Sequence, residues 1–314
     1  MKKILSVLLA TCLVIGSLTG CGSTEKEALP EKLVFTYVTA PLNVPSIVDK
    51  EKGMFTEAFA EKDIDVEYVE ITSGADQTQA LASGDVQVLY AVGATSVILA
   101  AANDADIKVL NMYSRSPKAF CMYTKDESLT SPESLRGKTI AGPAGTNLHE
   151  LLAAYLATAD MTMEDVNYLN MSIPDAKAGL DGGSVDVALV AGAVAYQLEV
   201  QGYHKVADGE GLIDAIIAVA VTDEFYNKYP EIIEILADAQ ENISKFISEN
   251  EADALAMVAE TLDLDVEAVK EMYTQYNFST EVTEADKAGF QKTADFMYEA
   301  GMIDNALDVN TLFY

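Results

Sequence analysis

The chain has 314 residues, with 20 lysines and arginines against 50 aspartates and glutamates, for a formal net charge of −30. That balance, with no basic cluster, excludes nucleic acid as a partner and excludes electrostatic attraction to anionic lipid headgroups. Half of the residues are apolar, and after the first twenty no second long apolar run follows. The remainder reads as soluble and long enough for one large domain or two of about 100–150 residues.

Lys2 and Lys3 lead into an almost uncharged apolar run from Ile4 to Leu18, and small residues follow. A basic start, a short apolar middle and a small-residue end make residues 1–20 a secretory signal. The run falls short of the roughly 20 residues of a membrane span. Leu18-Thr19-Gly20-Cys21 resembles a bacterial lipoprotein lipobox. The resemblance implies that Cys21 is lipidated, becomes the first mature residue and anchors an extracytoplasmic protein to the cell membrane. An ordinary signal with a chance cysteine is the alternative. Residues 21–31 are small, polar and charged, with Pro30, and read as a lipidated tether. With Cys12 in the signal, Cys121 is the remaining thiol. Its apolar surroundings Ala119-Phe120-Cys121-Met122-Tyr123 point to a buried strand rather than a nucleophile.

Apolar, β-prone residues 33–38 predict a first strand, and Ile47-Val48 with Met54-Phe55 predict a helix. A strand at 66–71, a turn at Ser73-Gly74 and a helix at 77–83 follow. The chain continues with a strand at 86–91, a helix at 96–102 and a strand at 107–112. Residues 120–124 form the next strand. The alternation then restarts with strands at 138–142, 166–170 and 185–190 and helices at 148–158, 174–181 and 193–202. A second all-apolar strand spans 215–221. Helices alone follow, at 223–228, 230–250, 251–262, 266–276 and 283–300. Alternation of this kind predicts an α/β fold of two lobes with mostly parallel central sheets. The strands near 120 and 218 bracket the second unit and are candidates for two crossovers. This divides the chain into a first part of lobe 1 at 32–117, lobe 2 at 118–212, and a return to lobe 1 at 213–314 with C-terminal helices packed on it.

The segment 135–152 delivers a strand, a loop Gly142-Pro143-Ala144-Gly145, and then Thr146 or Asn147 as the cap of a helix. Small residues allow a ligand close to the backbone, and the first helical N–H groups are unpaired at the positive end of the dipole. Such a start suits a carboxylate, sulfonate or nitrate.

The order of short motifs adds to this. Lys50-Glu51-Lys52-Gly53-Met54-Phe55, Ser73-Gly74, Leu81-Ala82-Ser83-Gly84-Asp85-Val86, Gly93-Ala94-Thr95, Leu135-Arg136-Gly137-Lys138, Gly145-Thr146-Asn147-Leu148-His149 and Gly182-Gly183-Ser184-Val185-Asp186 occur in turn. Over residues 32–225 this order resembles the substrate-binding proteins of nitrate/sulfonate/taurine ABC importers, the NMT1/THI5-like group with a type II periplasmic-binding-protein fold. The resemblance implies a monomer that holds a small-molecule ligand between two lobes and passes it to an ABC permease, with no cofactor and no metal. It implies a cleft lined by Pro41, Leu42, Asn43, Ser73, Gly74, Ala94 and Thr95 from one lobe. Gly145, Thr146, Asn147, His149, Ala191 and Gly192 line it from the other.

The chain has two arginines. Arg136 lies in a turn, and Arg115, beside the expected crossover, is the one candidate for a guanidinium clamp. An anion would be held mainly by N–H and hydroxyl groups. Tyr37, Tyr90, Tyr113 and Tyr196 equally admit a neutral or aromatic solute. Enzymes with this fold act on pyrimidines and related metabolites. However, two histidines on separate elements, and no G-x-S-x-G or H-E-x-x-H motif, supply little for catalysis, and such enzymes would be cytosolic. A surface adhesin is the third class, and it predicts no cleft.

Overall fold

The computed structural model describes residues 28–314; the signal, Cys12, Cys21 and most of the tether lie outside the described residues. The first lobe begins with β1 (Lys32–Tyr37), α1 (Val44–Lys52) and α2 (Met54–Ala60). It continues with β2 (Asp65–Glu70), α3 (Gly74–Ser83), β3 (Leu89–Gly93), α4 (Ala94–Ala102) and β4 (Lys108–Arg115). The single helix expected across 47–55 is two helices. Gly53 takes a left-handed φ of 66° and donates its N–H to Asp49, whose buried carboxylate in turn accepts the Phe55 N–H at 2.8 Å.

The second lobe holds β5 (Phe120–Thr124), β6 (Thr139–Gly142), α5 (Asn147–Ala157), β7 (Asn167–Asn170), α6 (Ile173–Gly182), β8 (Val187–Ala191), α7 (Gly192–Val200) and β9 (His204–Asp208). β9 is absent from the sequence reading. Its residues His-Lys-Val-Ala-Asp are half-buried throughout and carry no apolar alternation, because β9 is an edge strand laid on β5. β10 (Ile216–Val221) then returns the chain to the first lobe. It is followed by α8 (Asp223–Lys228), α9 (Pro230–Glu249), α10 (Glu251–Leu262), α11 (Val266–Tyr273) and α12 (Glu284–Glu299).

β1 and β2 pair in parallel, and Phe35 bridges in parallel to Val88 ahead of β3. β10 lies between β3 and β4, antiparallel to both. The second sheet has the order β7-β6-β8-β5-β9, with β6 parallel to its neighbours and β5 antiparallel to both of its own. The strand following each crossing therefore enters the interior of its sheet against the grain. Every residue of β5, β8 and β10 is buried, which explains sequences that are apolar throughout except for Thr124.

The C-terminal helices pack on the first lobe: α9 on α1 and α2, α10 on α1, and α12 on α4. They also reach the second, with α11 against α7 and α12 against α5. In α9 the buried Ile232, Leu236, Ala239, Ile243 and Ile247 recur at three- and four-residue steps, forming the packing stripe legible in sequence.

Candidate functional site

β3 and β8 pass into α4 and α7 without an intervening loop, and β6 reaches α5 through residues 143–146. These helix starts bring the two lobes into contact. Thr95 Oγ1 donates to Asn147 Oδ1 at 3.2 Å, and both side chains are buried. A Cβ added to Gly145 would lie 3.6 Å from Leu99, and one added to Gly192 would lie 1.9 Å from the Pro41 carbonyl oxygen. Asn147 Nδ2 is buried and has no partner among the described residues. With only 3% of Asn147 exposed, this is a hydrogen-bond donor held out of water at the point where the lobes meet.

The loop before α5 is braced by side chains. Ala144 N–H donates to Asn170 Oδ1 at 3.0 Å, and Gly145 N–H donates to His149 Nδ1 at 3.2 Å. Thr146 Oγ1 donates to the Pro143 carbonyl at 2.8 Å and accepts the Leu148 N–H at 3.3 Å, which makes Thr146 the N-cap. Tyr168 donates its hydroxyl to the Gly142 carbonyl and lies parallel to the His149 ring, 4.8 Å between centroids. Burial lowers the His149 pKa, so its imidazole is neutral and Nδ1 is free to accept. The sequence reading leaves the amides of this segment unpaired. In the folded chain those of Ala144, Gly145 and Leu148 are taken by protein groups, and the Asn147 side-chain N–H stands in their place.

The first-lobe candidates divide in two. Leu42 and Thr95 are fully buried, Ala94 is buried beside them, and Asn43 Nδ2 ties its own loop through the Val38 and Ala40 carbonyls at 2.9 and 3.1 Å. Pro41 is half-buried and meets Gly192, which follows the buried Ala191. Ser73 is exposed and caps α3 through the Asp76 N–H. Gly74 packs so closely on Ser96 that a Cβ would stand 2.0 Å from its hydroxyl. Ser73 and Gly74 thus have partners within their own lobe.

Arg115 is engaged within the protein. Its guanidinium binds Asp286 through Nε and Nη2 at 2.6 and 2.7 Å, and also the carbonyls of Ser279 and Glu281. The strand β4 runs on past its expected end at Met112 and delivers Arg115 to the segment before α12, which the guanidinium fastens. Arg136 likewise pairs with Asp165.

Sequence reasoning missed Tyr168 and Asn170, which brace the loop from a strand more than twenty residues away, and Ala91, which takes φ 80° in the middle of β3. A non-glycine residue in that region is strained by about 1–3 kcal/mol, and such strain gathers at functional sites. The one legible signal for the site's tight contacts was glycine itself, at Gly145 and Gly192.

A wide groove of about 540 Å³ lies elsewhere, at the amino ends of β3 and β4, among Leu81, Gly84, Asp104, Asp106, Phe225 and Tyr229. A pocket of about 80 Å³ adjoins Gly192, Cys121, Tyr196 and Gln275. Among the described residues no cluster of metal-ligating side chains occurs, and no helix is long and apolar enough to cross a membrane.

Residues 41–254, well over half of the chain, match the family model described as "NMT1/THI5 like". The chain is 25% identical over 315 residues to the "Putative aliphatic sulfonates-binding protein" of Bacillus subtilis (strain 168), covering 98% of this chain and 93% of that one. It is 29% identical over 184 residues to the taurine-binding periplasmic protein of Escherichia coli (strain K12), covering 56% and 57%. Among solved structures it is similar to the alkanesulfonate-binding protein SsuA from Xanthomonas axonopodis pv. citri bound to MOPS. There the TM-score is 0.82 at 20% identity, over 91% of this chain and 98% of that one, a likeness of fold.

Proposed function

The chain belongs to the NMT1/THI5-like family, and from that premise we propose that it is an extracytoplasmic solute-binding protein that hands a small organic or anionic solute to an ABC import permease. The observation that carries the reading is the junction of Thr95 with Asn147, where opposite lobes meet around a buried, unpartnered donor. The lobes hinge at the two crossings, residues 116–119 and 209–215. A solute touching both lobes favours the closed form by its greater affinity for it.

The solute class follows the relatives whose names specify aliphatic sulfonates and taurine. In this chain its oxygens would meet Asn147 Nδ2 and the dipoles at the starts of α4, α5 and α7, with no guanidinium, since both arginines are engaged. The protein acts as a monomer, and a lipid on Cys21 keeps it near the permease and raises its effective concentration there.

Calorimetry with taurine and short alkanesulfonates, against carboxylates of matched length, tests the reading. Binding of a sulfonate, recovered unchanged after hours, is expected. Absence of binding by every member of the panel, or recovery of a converted product, overturns it. Cys21→Ala is expected to release the protein from the membrane; retention overturns the anchor.

A further inference from the structure

Glu150 lies on α5, one turn beyond the Thr146 cap, and only 5% of it is exposed. Thr293 of α12 donates its hydroxyl to Glu150 Oε1 at 2.8 Å, and Thr293 is itself 4% exposed. The two helices belong to different lobes. α5 packs on β5 and β8 of the second sheet, whereas Phe290, Ala294 and Met297 of α12 share a core with Ile216 and Ala218 of β10. The return crossing passes the same point. A Cβ on Gly289 of α12 would stand 2.7 Å from Ile216 and 3.2 Å from the Asp214 carboxylate, and Asp214 lies 3.8 Å from Lys292. A buried carboxyl group therefore sits on a contact between the two lobes, beside the return crossing, and the site proposed above does not use it.

We propose that Glu150 and Thr293 form a proton-dependent latch: the neutral carboxyl is buried when the lobes close, and the ionised carboxylate favours the open form, where water reaches it. This rests on the hinged reading above and adds a regulation to that site.

The electrostatics agree with the geometry. Burial pushes the Glu150 pKa up from 4.5 to about 7. The Thr293 hydrogen bond opposes this, Asp214 reinforces it and Lys292 opposes it. Of the other elements around α5, α4 and β8 carry no ionisable side chain. On β5, Cys121 donates to the Lys118 carbonyl and Tyr123 to Glu199. Glu133, before β6, acts on Tyr155. His149 on α5 itself faces Gly145 and Tyr168. Closing raises the carboxyl's affinity for a proton, so closing takes up a proton. The closed-to-open ratio falls as pH rises from 4.5 towards about 7, by up to tenfold per pH unit, and levels off above. Asp49, raised to about 6 by burial, also titrates in this range, but its bonds to Tyr68 and Phe55 lie within one lobe.

Small-angle X-ray scattering of the solute-free protein at about pH 5 and about pH 8 reads the latch directly. The wild-type protein is expected to expand at the higher pH. Glu150→Gln keeps an acceptor for Thr293 without a charge and is expected to stay compact at both. Thr293→Val removes a bond that holds the two lobes together and is expected to move the midpoint, the pH at which half of the molecules are open, to lower pH. A wild-type protein of constant size, equal expansion in Glu150→Gln, or an unmoved midpoint in Thr293→Val would each overturn the proposal. Because no solute is present, failure of every sulfonate to bind would leave this test intact.

Discussion

The α carbon of Gly192 faces the carbonyl oxygen of Pro41 so closely that a β carbon there would approach to 1.9 Å. These two residues lie on opposite lobes and touch backbone to backbone across the site. Gly192 also has φ 55°, in the left-handed region. Gly192→Ala is therefore expected to cost about 1 kcal/mol of stability through the backbone. It is also expected to weaken solute affinity at least tenfold through the contact, a separate effect. Thermal unfolding and calorimetry measure the two, and wild-type affinity in a folded variant would show that closure does not bring these residues together.

Asn147 supplies two functions from one amide. Oδ1 accepts from Thr95, and Nδ2 has no protein partner. Asn147→Asp keeps the acceptor and removes the donor. For an anionic headgroup the expected loss is about 3 kcal/mol or more, roughly a hundredfold in affinity, because a charge-assisted hydrogen bond is replaced by repulsion. An Asp variant that binds a sulfonate as well as the wild type would remove Nδ2 from the site.

His149 gives the loop before α5 an acid sensitivity. Its pKa is lowered by burial, and its Nδ1 accepts from Gly145 only when unprotonated. The unfolded chain therefore binds the proton more readily, at its ordinary value of 6.5. The stability His149 contributes is complete above that value and is lost as pH falls through the lowered folded value. Denaturant unfolding between about pH 7 and about pH 5 should show this loss in the wild type and a smaller one in His149→Gln. Identical slopes would mean that the imidazole does not titrate on unfolding.

Arg115 and Asp286 are expected to govern stability rather than binding. Burial raises the Asp286 pKa, but the bonds from Arg115 and Thr283 outweigh burial and hold it below 3.8. Its contribution is present above 3.8 and is lost as pH falls through the lowered value. Arg115→Ala leaves a buried carboxylate unpaired, at a cost of about 3 kcal/mol. The melting temperature should fall, while solute affinity, measured below that temperature, should hold. A hundredfold affinity loss in a folded variant would restore the clamp.

Cys121 is buried, and burial pushes its thiol up to about 12. In the native protein it should resist iodoacetamide for hours and react within minutes in denaturant, as followed by mass spectrometry. Rapid native labelling would place the thiol in an accessible, activated setting.

The sequence made the sheets legible because their central strands are buried on both faces. Phe120–Tyr123 and Ile216–Val221 are apolar without interruption, and the strand expected at 120–124 has the observed ends. The helices of the C-terminal region were equally plain, since an apolar stripe such as Ile232, Leu236, Ile243 and Ile247 repeats with the helical turn. The edge strand His204–Asp208 was not, because its pairing with β5 is made by backbone groups that no side chain advertises.

The site was legible only in part, for the same physical reason. Local sequence fixes what a residue's neighbours in the chain impose: the left-handed turn at Gly53 and the caps at Thr146 and Thr283. Tertiary structure decided which groups those local elements meet. It gave the Gly145 amide to His149, the Ala144 amide to Asn170, the Arg115 guanidinium to Asp286 and the Glu150 carboxyl to Thr293. Hydrogen bonds reach about 3 Å in space regardless of separation along the chain, so their partners follow from packing and not from spacing.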